Sequence, residues 1–348
     1  MVRSAGGPPL AEALRDARPG ERWVLRVRLA DGSATDLVGW LDGWDTTAVQ
    51  LSGPVDGSGR NRTWTVPAAD VLLARRAPDA RGGPAPSRTS PDALDRLGVE
   101  AWAVEAEPLG GWTLRSGSGF TGRANSCLAV GDPGVELRQA AERIEAYAEA
   151  HGIAPLAQVV TGSAEDRALG ALGWTETYVA TDVLAVRLTD LLAGSTPDRR
   201  VSVVEELTPA WRAAFDEYRP SSVDPSVVTR LLEGRRPRAF ASLEQDGRPT
   251  SIGRGHLSAG WLGIAAVWTR PERRRQGLGT AVVLGLARWA ARRDARWCYL
   301  QVETANAVAH AAYERLGFRL HHRYRYLAPP ASAGDAGAEP QEARAQMT

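Results

Sequence analysis

The run Arg274-Arg275-Gln276-Gly277-Leu278-Gly279 constrains this chain more than any other stretch. It stands between an apolar strand over residues 262–269 and an amphipathic helix from about Thr280 to Arg292. A glycine turn at a helix start aims several unpaired backbone N–H groups at one spot. Those donors and the helix dipole make an anion site suited to a pyrophosphate. Glycine reaches positive φ there, and it lets a phosphate approach the backbone with no Cβ in the way. Two better-known loops are excluded. A Walker loop ends in Gly-Lys-Ser/Thr, and this chain has no lysine. A dinucleotide loop needs Gly-x-Gly-x-x-Gly and a later acidic residue, whereas here the run is rich in arginine and one residue separates the two glycines.

A second strand is expected over Trp297–Val302, followed by Asn306, Tyr313 and Leu316-Gly317-Phe318. With Pro271-Glu272 and the glycine loop, this ordered series resembles the GNAT superfamily of acetyl-coenzyme A-dependent N-acyltransferases over roughly residues 200–328. The resemblance implies an α/β (α+β) fold with a mixed central sheet flanked by helices. It also implies that the strand ending Val267-Trp268-Thr269 bulges and splays, lending backbone groups to the pantetheine arm and thioester. The pyrophosphate falls to the loop Arg274, Arg275, Gln276, Gly277, Leu278, Gly279 and Thr280, through backbone N–H groups more than arginine side chains. Asn306 either bonds the pantetheine or caps the next helix. Tyr313 lies seven residues on, so both face one side, and its phenol can protonate the departing thiolate. The base is open: Glu303 and Gln301 share a strand face and only Glu303 titrates, while His256 is a further candidate.

Length calls for two or three domains at 348 residues. A net charge of +1 gives no field that favours nucleic acid or membrane. All 42 basic residues are arginine and Ala, Gly and Pro abound, as GC-rich coding would produce. Any single arginine therefore carries reduced functional weight. Cys127 and Cys298 match neither a disulfide framework nor a metal set, Cys298 reads as a small core residue, and no segment approaches the ~20 apolar residues of a membrane span. A cytoplasmic setting without a metal is expected.

Residues 1–76 read as a small β-barrel, with short alternating strands over 20–76 punctuated by Asp31-Gly32, Asp42-Gly43 and Asp56-Gly57. It resembles the Src-homology-type barrel ahead of some actinobacterial tandem GNAT proteins, and a packing or homodimerisation role fits it better than nucleic-acid binding. Residues 77–91 read as a linker, and 329–348 as a disordered tail. Between them, 92–190 follows helix–strand–helix order, with a strand pair at 111–115 and 123–128. Aligning Gly134 with Gly277 puts Gln158 on Gln301 and, after a one-residue gap, Leu172-Gly173-Trp174 on Leu316-Gly317-Phe318. Residues 92–190 and 200–328 thus read as tandem GNAT copies. In the first copy Glu136 stands for Gly279, Asp132 for Arg275, Leu169 for Tyr313 and Gly162 for Asn306. That leaves acetyl-coenzyme A binding to the second copy. The expected reaction is acetyl transfer to a primary amine, a small molecule first, by direct attack in a ternary complex. A protein amine and a non-catalytic acyl-coenzyme A sensor are the alternatives.

Overall fold

The computed structural model describes residues 21–29, 31–54, 61–77, 85–102, 104–245 and 247–330, with 13, 14 and 17. The Asp56-Gly57 turn, linker residues 78–84 and the tail beyond 330 lie outside the described residues. The chain divides into two compact units, Met1–Thr89 and Ser90–Thr348.

The first unit is an antiparallel sheet of β1 (Arg22–Arg28), β2 (Ala34–Trp44), β3 (Ala48–Pro54), β4 (Asn61–Pro67) and β5 (Val71–Arg76), in the order β4-β3-β2-β1-β5. Every second side chain of β1 turns inward, so Trp23, Leu25 and Val27 meet Leu41, Val49, Leu51 and Val66 in one small core. The turn before β2 is built as its sequence suggests, with Asp31 Oδ1 accepting the Ser33 N–H at 2.9 Å. Asp42-Gly43 does not turn the chain. It lies inside β2, where the register against β3 shifts between Leu41 and Gly43, and Asp45 caps the real turn by accepting the Thr47 and Ala48 N–H groups. The glycine there serves a bulge.

In the second unit the strands are β6 (Glu105–Leu109), β7 (Trp112–Ser116), β8 (Cys127–Leu128), β9 (Ala157–Val160), β10 (Thr175–Glu176), β11 (Thr181–Arg187), β12 (Val201–Val204), β13 (Arg238–Gln245), β14 (Arg248–Ser258), β15 (Trp261–Thr269), β16 (Trp297–Glu303) and β17 (Arg319–Ala328). They form one mixed sheet, β12-β13-β14-β15-β16-β11-β17-β9-β8-β7-β6, with β10 beside β17. The expected pair at 111–115 and 123–128 is corrected: β7 pairs mainly with β6 and touches β8 only at Thr113–Leu128, while Gly122–Ala124 is a short 3-10 turn.

The two halves trade strands. β11, from the first half, is hydrogen-bonded to β16 along its whole length, Thr181 facing Glu303 and Arg187 facing Trp297. β17, from the second half, sits between β11 and β9. Residues 92–190 and 200–328 are thus divisions of the sequence that the sheet crosses twice.

Helix Leu278–Ala291 buries Leu278, Val282, Val283, Leu286 and Ala287 over β12–β15. Glycine on β14 admits it, since a Cβ at Gly253 would stand 2.7 Å from Val282 Cγ1. Helix Leu137–Ala150 covers the first half in the same way with Ala140, Ala141 and Ile144. Helix Pro91–Glu100 crosses the other face. Asp95 meets His322 of β17 at 3.1 Å, and the Arg254 guanidinium of β14 donates to the Ala101 carbonyl at 2.5 Å. On that face, helices Pro209–Tyr218 and Pro225–Glu233 pack Trp211, Phe215, Val228 and Leu231 onto Phe240, Ile252 and Trp268, with Phe120 from the first half.

Candidate active site

The functional geometry starts where two parallel strands part. β15 and β16 pair only from Trp261–Trp297 to Ile264–Leu300. Beyond, both strands continue unpaired with each other, to Thr269 and Glu303. A bulge on β15 drives the parting. The register against β14 shifts between Ile252 and Arg254, and Ala266 takes φ 53°. A non-glycine residue in the left-handed region costs energy and marks a functional constraint. Arg270 donates its N–H to the Thr250 carbonyl at 2.9 Å on the β14 side. Alternation then turns the backbone groups of Val267 and Thr269 toward the gap. Trp268 points to the opposite face, 7 % exposed, and its carbonyl accepts from the Ser251 hydroxyl at 2.9 Å. Of the expected strand contacts, Val267 and Thr269 are thus placed at the gap and Trp268 is not.

The glycine loop lies at the end of β15. Gly277 caps helix Leu278–Ala291 in the left-handed conformation, φ 76° and ψ 4°, and Arg275 has φ 61°. The first intrahelical bond runs from Ala281 N–H to the Gly277 carbonyl at 2.9 Å, so the N–H groups of Leu278, Gly279 and Thr280 have no helical acceptor. Those of Arg275, Gln276 and Gly277 donate to no protein acceptor among the described residues either. Residues 274–277 are exposed. Six donors with left-handed turns among them form a nest at a positive helix end, which is what a pyrophosphate requires. A Cβ on Gly279 would stand 3.4 Å from Thr269 Oγ1, closing the mouth toward the strand gap. The Arg274 side chain folds back onto β15, its Nε donating to the Thr269 carbonyl at 3.2 Å. A groove of about 390 Å³ opens beside Gly277 and Thr280, running to Arg288, with Thr196–Arg199 as its far wall. That wall was not foreseen from sequence, because 196–199 reads as plain connecting chain.

Tyr313 comes from helix Ala307–Arg315. Its ring meets Phe318 edge-on at 5.6 Å, and the Phe318 N–H returns to the Tyr313 carbonyl through Gly317 at φ 88°. Burial pushes the phenol pKa upward, so it is protonated at neutral pH. Asn306 is the helix cap, its Oδ1 accepting the Ala309 N–H at 3.1 Å. Glu303 ends β16 on the face away from helix Leu278–Ala291, since Leu300 and Val302 enter the core under that helix. Burial raises the Glu303 pKa, opposed by the charges of Arg123 and Arg219. His256 is removed as a base. It pairs with Gly263 four residues before Val267, about 13 Å along the strand. Its Nε2 lies 3.0 Å from the Tyr299 hydroxyl, and burial lowers its pKa to about 3.

The gap has a second wall that the sequence did not announce. Tyr218 and Arg219 end helix Pro209–Tyr218, and the Tyr218 ring stands 5.9 Å from Trp268. The Arg219 guanidinium lies 5.1 Å over the Phe120 ring. Arg123 donates from Nε to the Tyr324 hydroxyl at 3.0 Å. These residues come from three distant segments, and in an arginine-rich chain no local signal singles out two arginines.

The first copy repeats the scaffold without the nest. The Trp174 N–H bonds the Leu169 carbonyl through Gly173 at φ 87°, as Phe318 bonds Tyr313, and β9 runs parallel to β8. Leu169 therefore stands where Tyr313 does. The counterpart of Asn306 is Ser163, which caps its helix by accepting the Asp166 N–H, and this corrects the alignment to Gly162. The loop is filled by the protein itself. Asp132 Oδ1 accepts the Gly134 N–H at 2.8 Å and Glu165 Oε1 the Gly131 N–H at 3.1 Å. The β6–β7 turn presses in so closely that a Cβ on Gly110 would collide with the Pro133 carbonyl.

Several known proteins resemble this chain. A family model described as "Probable histone acetyltransferase Rv0428c C-terminal" matches residues 92–327. The chain is 28% identical over 334 residues to the probable histone acetyltransferase Rv0428c of Mycobacterium tuberculosis, covering 90% of this chain and 96% of that one. It is 24% identical over 242 residues to the uncharacterized N-acetyltransferase YobR of Bacillus subtilis, covering 67% and 96%. Among solved structures, a GCN5-related N-acetyltransferase from Kribbella flavida superposes with a TM-score of 0.51 at 18% identity, over 69% of this chain and 96% of that one. No helix among the described residues is long and apolar enough to cross a membrane.

Proposed function

For a chain that belongs to the Rv0428c C-terminal family, and is a GNAT N-acetyltransferase, we propose transfer of an acetyl group to a primary amine, a small molecule first, by direct attack in one ternary complex. The GNAT fold implies acetyl-coenzyme A as donor, which supplies a thioester carbonyl as electrophile. One observation carries the reading: six unpaired backbone N–H groups, residues 275–280, stand at the mouth of a strand gap that has Tyr313 on one face and Glu303 on the other.

In this reading Arg275, Gln276, Gly277, Leu278, Gly279 and Thr280 hold the pyrophosphate through the backbone. The gap-facing backbone groups of Val267 and Thr269 hold the pantetheine arm, and the free Nδ2 of Asn306 is available to it while Oδ1 caps the helix. The attacking amine gives a proton to Glu303, directly or through one water. The C–N bond forms, the C–S bond breaks, and Tyr313 protonates the departing sulfur. Direct attack suits the thiols, because burial raises Cys127 to about 12 and Cys298 well above its ordinary value, leaving neither ready as a nucleophile.

Asp132, Glu165 and the Gly110 turn occupy the first copy's loop, so one coenzyme per chain is expected. Titration calorimetry with coenzyme A checks this, and two sites would refute the division of labour. The mycobacterial relative is a probable histone acetyltransferase, which favours a protein amine as the second reading. A screen of small amines and lysine peptides by thiol release separates the two. Tight coenzyme binding with no turnover of any amine would instead support a sensor.

A further inference from the structure

A hydroxyl with no partner stands beside Glu303. Thr181, the first residue of β11, is 1 % exposed, and its Oγ1 is buried without a hydrogen-bond partner among the described residues. In the β11–β16 register it lies directly opposite Glu303. The pairing is of the closer kind. Just past the strand ends, the Thr304 N–H donates to the Ala180 carbonyl at 2.9 Å. Residues 180 and 304 therefore form a hydrogen-bonded pair, and 181 and 303 the adjacent non-hydrogen-bonded one. Such residues have Cα atoms about 4.5 Å apart and side chains on one face. That face is settled, because Leu184, Val186, Leu300 and Val302 enter the core on the opposite one.

The Glu303 carboxylate is also short of donors. No described residue donates a hydrogen bond to it, and its pKa answers to burial and to the charges of Arg123 and Arg219. On the far side of Thr181, Tyr324 is its register partner on β17, and the Tyr324 hydroxyl accepts from Arg123 Nε at 3.0 Å. Asp182 and His310, 3.7 Å apart, belong to the opposite face. An unmet donor and an unmet anion thus occupy the two closest positions of one ladder. A buried hydroxyl left unpaired is costly, and a carboxylate is the acceptor that holds it most strongly.

We propose that Thr181 positions the base: its hydroxyl donates to one carboxylate oxygen of Glu303 and leaves the other for the acceptor amine. Rotation of the Glu303 side chain about its own bonds brings the two together, since the strands already set them side by side. The proposal rests on the acetyl-transfer reading, in which Glu303 takes the amine proton. A hydrogen bond to the charged form lowers a carboxyl pKa. Thr181 then counters the rise that burial imposes and keeps Glu303 ionised to lower pH.

The test is a 13C NMR titration of the Glu303 carboxyl in the free protein, in wild type, Thr181→Val and Thr181→Ser. Valine keeps the shape and drops the hydroxyl. The Glu303 pKa should rise by about one to two units in Thr181→Val, the loss of one charge-assisted hydrogen bond, and return close to wild type in Thr181→Ser. With an amine that is turned over, the acid limb of kcat/KM should move to higher pH in the same order, with acetyl-coenzyme A affinity kept. Thr181→Val should add nothing in a Glu303→Gln background. Melting temperatures establish that each variant folds, and Thr181→Ala carries the comparison if valine does not. The same Glu303 titration with and without the hydroxyl overturns the proposal alone. A shifted titration beside an unmoved acid limb removes Glu303 as the base, and Thr181 with it. Turnover of no amine at all overturns the acetyl-transfer reading as well.

Discussion

Gly277→Val separates cofactor binding from folding. Gly277 has φ 76°, and a Cβ there meets nothing within 4 Å. The penalty is therefore conformational, with no steric clash to add to it. A residue with a Cβ pays about 1–2 kcal/mol in the left-handed region, more when β-branched. For a unit of this size that lowers Tm by roughly 2–8 °C, which leaves a folded protein. The alternative open to valine is to leave that region, which swings the Gly277 and Leu278 N–H groups off the common target. Each charge-assisted bond to a phosphate is worth about 1.5–3 kcal/mol. Two lost bonds weaken coenzyme A binding by at least 100-fold, at about 1.4 kcal/mol per decade. Titration calorimetry reports the affinity and differential scanning calorimetry the fold. Unchanged coenzyme affinity in a variant with lowered Tm would remove the nest from the mechanism. So would an affinity lost only in step with unfolding.

Tyr313→Phe should lower kcat by about 100-fold, the lower end for a general acid since a thiolate leaves readily, while the acetyl-coenzyme A Kd stays put; an unchanged kcat in stopped-flow thiol release rejects the role. Glu303 must be ionised to act as base, and burial raises its pKa. Wild-type kcat/KM should therefore fall toward acid at a pH above that of an ordinary glutamate, and a pH profile of Glu303→Gln that keeps this limb would clear Glu303. His256 is neutral in the fold, its pKa lowered to about 3 from 6.5. Below pH 6.5 the unfolded chain binds a proton that the native chain refuses, so stability drops as pH falls from 6.5 toward 3. Urea melts should show a shallower decline in His256→Gln, and parallel curves would assign the decline elsewhere.

The parts of this site that could be read in the sequence are those whose determinants are contiguous. Gly277 and Gly279 specify a left-handed cap and an open mouth within three residues. Asn306 and Gly317 bracket one helix, so its cap, its closure and the shared side of Asn306 and Tyr313 follow from spacing. Asp42-Gly43 shows where local signals mislead, because the same dipeptide serves a turn or a bulge and only the register with β3 decides. Strand exchange is beyond such signals. β11 alternates and is apolar like any buried strand, and nothing in its seven residues names β16 as its partner more than a hundred positions away. The acceptor wall is hidden for the same reason: Phe120, Arg123, Tyr218 and Arg219 become neighbours only after the sheet is assembled.

That exchange also explains why a copy without its own nest is retained. β11 continues the sheet at the edge where β16 has left β15, pairing with it from Arg187 to Thr181 and so up to Glu303 itself. Without β11, the last residues of β16 would lack a ladder on both sides, and Glu303 would hang on an unpaired strand end. β17 then pairs with β9 and anchors Arg123 through Tyr324. On the proposed reading, the first half is the support that fixes the base candidate and supplies one wall of the acceptor cleft. Its carboxylates at Asp132 and Glu165 take up loop N–H groups, at Gly134 and Gly131, with acceptors from the protein itself. On that reading the strands exchanged between the halves, β11 and β17, are what hold the donor and acceptor faces in register.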